Sequence, residues 1–186
     1  MVCSLRQRGA QVTLKVIHYD NHFNGNEWFV IISIVVGLLA FLAIPKRFPI
    51  KVSIIYLLTG VFTGFFFDHT LSVIPVSYYD LNDKSVFELT DFLSHVMYAS
   101  YSYFFFYLYD YLKVKFRYSP VYILIWTIMS MGIEKLSALV GVYHYKHGYT
   151  IFYSFIIYLL VHSSWVALYY IIEIERQGEK KSILLQ

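Results

Sequence analysis

Ionisable side chains occur inside stretches of this chain that are apolar enough to span a lipid bilayer. Asp68, Asp91 and Glu134 are the acids, and His95 and His162 are histidines in the same surroundings. A charged group at membrane depth costs at least about 2.5 to 3.5 kcal/mol, so such a residue usually faces the interior of a helix bundle and has a partner there. These residues are therefore the first candidates for function.

The residue types in this set are compatible with three kinds of chemistry. Asp91 and His95 are four residues apart, which places them on one helix face. With Asp68 and Glu134 they could hold a divalent metal ion, move a proton, or hydrogen-bond neighbouring helices. No compact metal motif of the His-Glu-x-x-His kind occurs. Polar contacts between helices are the simplest interpretation, with Lys135 either neutralising one of the acids or extending its charged end to the membrane surface.

The composition is typical of a membrane protein. Hydrophobic residues make up 58% of the chain and charged residues 15%, whereas a soluble domain averages about 25% charged residues. Cys3 is the only cysteine, which excludes an internal disulfide and a cage of thiolate metal ligands. No basic stripe lies outside the apolar segments, so nucleic acid is not an expected partner.

Five apolar segments have the length of a transmembrane helix, about 17 to 25 residues. The predicted spans are residues 28–44, 50–74, 87–112, 120–142 and 150–172. They leave a polar head, residues 1–27, and a charged tail, residues 173–186. Ser85 and Glu88 have the spacing of a capping box that would start the third helix. The predicted fold is an all-α integral membrane bundle of five helices.

Charge and aromatic residues predict how the bundle is oriented. Lysine and arginine collect in the first and third loops and in the tail, whereas the second and fourth loops contain only Lys84 and Lys146. The positive-inside rule then places the N-terminus outside and the C-terminus inside. Aromatic residues near the span ends predict an interfacial belt: Trp28, Tyr78, Tyr79, Tyr109, Tyr111, Tyr118, Tyr122, Tyr143, Tyr145, Tyr149, Tyr169 and Tyr170.

Helical periodicity predicts which way the second span faces. Gly60, Gly64 and Asp68 fall on one stripe, and the Gly60-x-x-x-Gly64 spacing lets two helices approach closely. The neighbour could belong to this chain, to a second copy, or to another membrane protein. His69 lies about 100° from Asp68 around the helix and is therefore expected outside the cluster.

The rise of 1.5 Å per residue predicts the depth of each candidate below the outer end of its span. Asp68 would lie about 10 Å deep, Asp91 about 6 Å, His95 and Glu134 about 12 Å, and His162 about 18 Å. Acids and histidines of three helices would thus meet in the outer half of the membrane.

Two stretches carry a resemblance to known proteins. One contains Phe67-Asp68-His69-Thr70 and Tyr79-Asp80-Leu81-Asn82-Asp83, and the other contains Glu134-Lys135-Leu136 and Gly141-Val142-Tyr143-His144-Tyr145-Lys146-His147-Gly148-Tyr149. They resemble a group of small uncharacterised multi-pass membrane proteins of spore-forming bacilli and clostridia, over roughly residues 44–172. The resemblance implies a bacterial cytoplasmic-membrane protein of about five helices. It implies no activity, cofactor or catalytic residue.

The sequence therefore predicts a multi-pass membrane protein, in contact with the lipid bilayer, that is not an enzyme. It would handle small solutes or ions, or serve as a subunit of a membrane assembly. The competing class is a membrane-embedded hydrolase whose metal would be bound by Asp68, Asp91, His95 and Glu134. The sequence names neither a substrate nor a cofactor.

Overall fold

A computed structural model describes residues 3–7, 10–14, 16–72, 77–85 and 87–184. Within these ranges, the burial of side chains is described for residues 16 to 178. The described chain is mostly helical. Its helices are α1 (Gly25–Ala43), α2 (Ile50–Leu71), α3 (Leu89–Tyr111), α4 (Ser119–Leu139) and α5 (Ile151–Leu184).

Two small antiparallel sheets accompany the helices. Strand β1 (Cys3–Gln7) pairs with β2 (Ala10–Leu14), and β3 (Tyr79–Leu81) pairs with β4 (Tyr143–Tyr145). The all-α prediction missed both sheets.

Four of the helices are long and apolar enough to cross a membrane: α1, α2, α4 and α5. Large apolar side chains on these helices are exposed, among them Leu42, Phe62, Ile128 and Leu160. A continuous apolar surface of this kind is unfavourable in water and is expected where lipid or another apolar partner covers it. These four helices suggest a multi-pass membrane protein. α3 is not among them, so helix length and composition do not confirm all five predicted spans.

A core of packed aromatic side chains fills one half of the bundle. α3 packs against α1 and α2, while α4 packs against α5. Phe105 and Phe106 of α3 are fully buried where these two groups of helices meet. Phe106 stacks on Tyr56 of α2 at 3.8 Å between ring centroids, and Phe105 meets Trp165 of α5 edge-on at 5.2 Å. Such pairs add about 0.5 to 1.5 kcal/mol to the burial of the rings.

The other end of the bundle is covered by what we call the sheet cap, residues 16–24, 77–85 and 143–149. The backbone N–H of Tyr19 donates to the carbonyl of Asp83 at 2.8 Å, and the N–H of Asn82 donates to the carbonyl of Val142 at 2.9 Å. At the opposite end, Arg47 in the α1–α2 loop pairs with Asp110 near the end of α3. Hence α3 runs from one end of the bundle to the other.

The observed helix ends correct several predicted boundaries. α2 ends at Leu71, and residues 73–76, where the second span was predicted to end, lie outside the described residues. Asp68 is therefore in the last turn of α2, about 4.5 Å from its end and not about 10 Å. α5 continues to Leu184, so most of the predicted tail is helical.

The start of α3 differs from the predicted capping box. Glu88 is the N-cap and Asp91 completes the box, whereas the Ser85 hydroxyl accepts from the backbone N–H of Ile17 at 2.9 Å. Ser85 therefore fastens the head of the chain to the second loop and does not cap the helix.

Candidate functional site

A cavity of about 410 Å³, which we call the chamber, lies between the α1–α2–α3 group and the α4–α5 pair. Tyr79 and Tyr143 of the sheet cap line one end, and His162 and Trp165 lie toward the aromatic core. Its walls are mostly apolar. Among the described residues that line the chamber there is no lysine or arginine, whereas Asp68 and Glu134 both line it.

Asp68 faces the chamber from the last turn of α2. Its Oδ1 accepts a hydrogen bond from the Tyr79 hydroxyl at 2.6 Å, and its Oδ2 lies 3.0 Å from Nε2 of His95. The second contact is close enough for an ion pair but lacks hydrogen-bond geometry, so within the described structure Oδ2 and both His95 ring nitrogens have no hydrogen-bond partner. Asp68 is 6% exposed and His95 is 0% exposed.

Glu134 faces the chamber from α4. Its Oε1 accepts from the hydroxyls of Tyr145 and Ser154, each at 2.7 Å. The neighbouring Lys135 is exposed, and among the described ion pairs none involves Glu134. Of the two alternatives for Lys135, neutralisation of an acid is not seen among the described ion pairs, and the exposure of Lys135 agrees with extension to the surface.

Asp91 is occupied in holding the start of α3. Its Oδ1 accepts from the side-chain amide of Asn82 at 2.7 Å, and its Oδ2 accepts from the backbone N–H of Glu88 at 2.7 Å. Asp91 lies beside a second cavity of about 70 Å³, whose lining includes Asp68, His95 and His69. His69, which helical periodicity placed outside the cluster, is 6.1 Å from His95 between ring centroids.

The four candidates for metal binding therefore divide between two cavities. Asp68 lines both, Asp91 and His95 line the small one, and Glu134 lines the chamber. Among the residues that the structure describes there is no group of three or more histidine, cysteine, aspartate or glutamate side chains placed to hold a metal ion. The arrangement offers the carboxylates of Asp68 and Glu134 to a molecule in the chamber.

His162 lies deeper than the acids, as its position in the fifth span predicts. Its Nδ1 is 3.2 Å from the hydroxyl of Thr127, and its ring stacks on Phe105 at 5.3 Å. The residue is buried and forms part of the chamber wall next to the aromatic core.

The tyrosines that hold the acids were predicted to lie in an interfacial belt. Tyr79 is buried, and the structure also buries Tyr109 and Tyr122 in the core, so the belt prediction is wrong for these three residues. Burial is the main cause that raises the pKa of Tyr79 and of Tyr145, which keeps both hydroxyls protonated as donors. Alternation along a strand could have revealed that Tyr143 and Tyr145 share a face.

The glycine stripe of α2 packs against α3 of the same chain. A Cβ atom added at Gly60 would lie 2.1 Å from the backbone oxygen of Tyr98, and one at Gly64 would lie 2.4 Å from the Tyr98 ring. The Tyr98 hydroxyl in turn bonds to that of Tyr143 in the sheet cap. The close approach of α2 and α3 thus sets one wall of the chamber.

Comparison with known proteins gives no match: no protein-family model, no curated protein and no solved structure matches this chain. The resemblance to small membrane proteins of spore-forming bacteria therefore stays a prediction.

Proposed function

We propose that this chain is a five-span protein of a bacterial cytoplasmic membrane that binds a small solute in the chamber and is not an enzyme. The observation that carries the proposal is a cavity of about 410 Å³ in which two buried carboxylates face mostly apolar walls. Ligand sites commonly occupy about 300 to 1,000 Å³ and combine apolar walls with a few placed polar groups. The chamber has this size and this lining.

The proposal counts α3 as the fifth span. With 23 residues and a rise of 1.5 Å per residue, α3 is about 34 Å long, enough to cross a hydrocarbon core of about 30 Å. Its serines and tyrosines lower its hydropathy, but neighbouring helices cover many of them, including Ser94, Ser102 and Tyr103. A central helix shielded from lipid does not need an apolar surface all round.

Five spans place the two ends of the chain on opposite sides of the membrane. The sheet cap gathers the head with the second and fourth loops, and the lysine-rich and arginine-rich first and third loops lie at the other end. The positive-inside rule supports an outer sheet cap and a cytoplasmic C-terminus. The solute would then enter the chamber from the outer half of the membrane.

Handling of a solute is better supported than a role as an assembly subunit. Gly60 and Gly64, the stripe that could have served a second protein, are already covered by α3. Their packing shapes the chamber and leaves no glycine groove on the surface of α2.

Water access to the chamber tests the proposal. In a Cys3→Ser background, Ile157→Cys places a thiol in the chamber wall, and Ile156→Cys places one on the exposed face of the same helix. Two small methanethiosulfonates of opposite charge, neither able to cross a membrane, would be added to the outside of intact cells. We expect either reagent or both to label Ile157→Cys and neither to label Ile156→Cys, because these reagents modify thiols in water and not in lipid.

Failure of both reagents to label Ile157→Cys would contradict the proposal. Equal labelling of Ile156→Cys would also contradict it, because that result would place the outer face of α5 in water.

A further inference from the structure

We infer that the solute is a small organic cation whose charged group binds Glu134 and whose apolar part lies against the aromatic walls of the chamber. The inference rests on the proposed function, because it names the chemical class that the same chamber would take.

The charge of the chamber favours a cation. Glu134 is 5% exposed and has no partner among the described ion pairs. An uncompensated buried charge is strongly destabilising, so a positive group beside it is favoured. Asp68 adds a second carboxylate to the same lining, where the described residues include no lysine or arginine, but His95 lies 3.0 Å from Asp68, so Glu134 is the acid without a nearby basic group.

The hydrogen bonds of Glu134 orient its carboxylate through neutral groups. Tyr145 and Ser154 both donate to Oε1, and the Tyr158 hydroxyl is a further hydrogen-bond neighbour of the carboxylate. Hydroxyl donors orient the carboxylate without adding positive charge. Among the described residues no cation of the protein lies beside Glu134, so the place next to the carboxylate is left to the molecule that enters.

The walls favour an organic cation over a metal ion. Calcium needs about six to eight oxygen ligands, and magnesium needs an octahedral shell, whereas the chamber wall is mostly apolar. Trp165, Tyr158 and Phe67 line it and present aromatic rings. Aromatic faces attract alkylammonium groups through the negative face of the ring.

Three probes of similar shape and different charge test the inference on the full chain in detergent. Benzyltrimethylammonium is the cation, neopentylbenzene is its neutral isostere, and benzenesulfonate is the anion. Isothermal titration calorimetry would give the dissociation constant of each. We expect the cation to bind about tenfold or more tightly than either other probe, because only the cation pairs with Glu134.

Variants locate the binding. Glu134→Gln is expected to raise the dissociation constant of the cation by about tenfold or more. Glu175→Gln, which removes an exposed acid from the same protein, is expected to leave that constant unchanged. Ile157→Trp fills the chamber without replacing an acid and serves as a second variant if Glu134→Gln does not fold. Loss of cation binding in Ile157→Trp would place the binding in the chamber, and unchanged binding would contradict it.

The outcomes separate this inference from the proposed function. Equal or tighter binding of the neutral probe, as expected for a chamber that holds lipid chains, overturns the inference while leaving a binding chamber. A preference for the anion, or no binding of any probe, also overturns the inference. Labelling of Ile157→Cys then decides independently whether the chamber is open to water.

Discussion

Glu134 and Asp68 both accept hydrogen bonds from hydroxyl groups outside their own helices, and among the described ion pairs Asp68 alone also has a basic neighbour, His95 Nε2 at 3.0 Å. Tyr145 of β4 and Ser154 of α5 donate to Glu134, and Tyr79 of β3 donates to Asp68. A lysine in place of these donors would cancel the charge of the acid, whereas a hydroxyl orients the acid and leaves its charge in place. At the level of single residues, this arrangement of Glu134 is the basis of the proposal that the chamber takes a positive group.

His144 provides a pH-dependent contact on the opposite face of β4. Its ring stacks on Tyr19 at 3.8 Å with an interplanar angle of 2°. Burial, the largest cause, lowers the pKa of His144 below its usual 6.5, although the nearby Asp80 and Asp83 act in the opposite direction. The folded state therefore favours the neutral ring, so the stability from this contact is complete above about pH 6.5 and declines as the pH falls below that value.

We therefore expect residues 16–24 to detach more readily in mild acid. Hydrogen exchange in this segment, corrected for the intrinsic effect of pH, should be about two- to tenfold faster at pH 5.5 than at pH 7.5. His144→Phe keeps an aromatic ring against Tyr19 and should abolish this difference. His22→Phe, which replaces an exposed histidine of the same segment, should preserve it. The same pH dependence in His144→Phe would contradict the assignment to His144.

At the level of elements, the contact between α2 and α3 determines the shape of the chamber. The backbones approach so closely at Gly60 that an added Cβ would lie 2.1 Å from the Tyr98 carbonyl oxygen. This atom is backbone, so α3 would have to move to accommodate a side chain.

Gly60→Ala should lower the free energy of unfolding by about 1 to 3 kcal/mol, the usual cost of overpacking a core. Gly132→Ala on α4 is the matched control, because an added Cβ there meets nothing within 4 Å. The control should be neutral or stabilising by about 0.5 to 1 kcal/mol, since alanine favours helix more than glycine. Thermal unfolding in detergent measures both, and equal effects of the two changes would refute the close contact.

Periodicity and composition predicted the five helices, the packing role of Gly60 and Gly64, and the inward direction of Asp68 and Glu134, because these features depend on residues of one helix. They did not predict the sheet of β3 and β4, since a three-residue strand is too short to show a period. They also grouped Asp91 with the other acids. Asp91 is held away from Glu134 at the start of α3, where its Oδ2 accepts from the backbone N–H of Glu88 and its Oδ1 accepts from the side-chain amide of Asn82.

For the whole molecule, the two halves of the bundle have different roles. The aromatic core of Phe105, Phe106 and Trp165 fills the half of the bundle next to the basic loops. The chamber lies in the half under the sheet cap. In the proposed function, the aromatic core would lie between a solute in the chamber and the basic loops. Movement through the bundle would require the aromatic core to separate.

Protection of a chamber thiol by the cation tests the central claim most directly. The rate at which a charged methanethiosulfonate labels Ile157→Cys would be measured from the outer side with increasing benzyltrimethylammonium. We predict a saturable decrease in the rate with the cation and none with benzenesulfonate, and loss of the protection in the Glu134→Gln protein. A labelling rate that stays constant up to saturating cation, or protection that survives Glu134→Gln, would contradict a solute chamber anchored by Glu134.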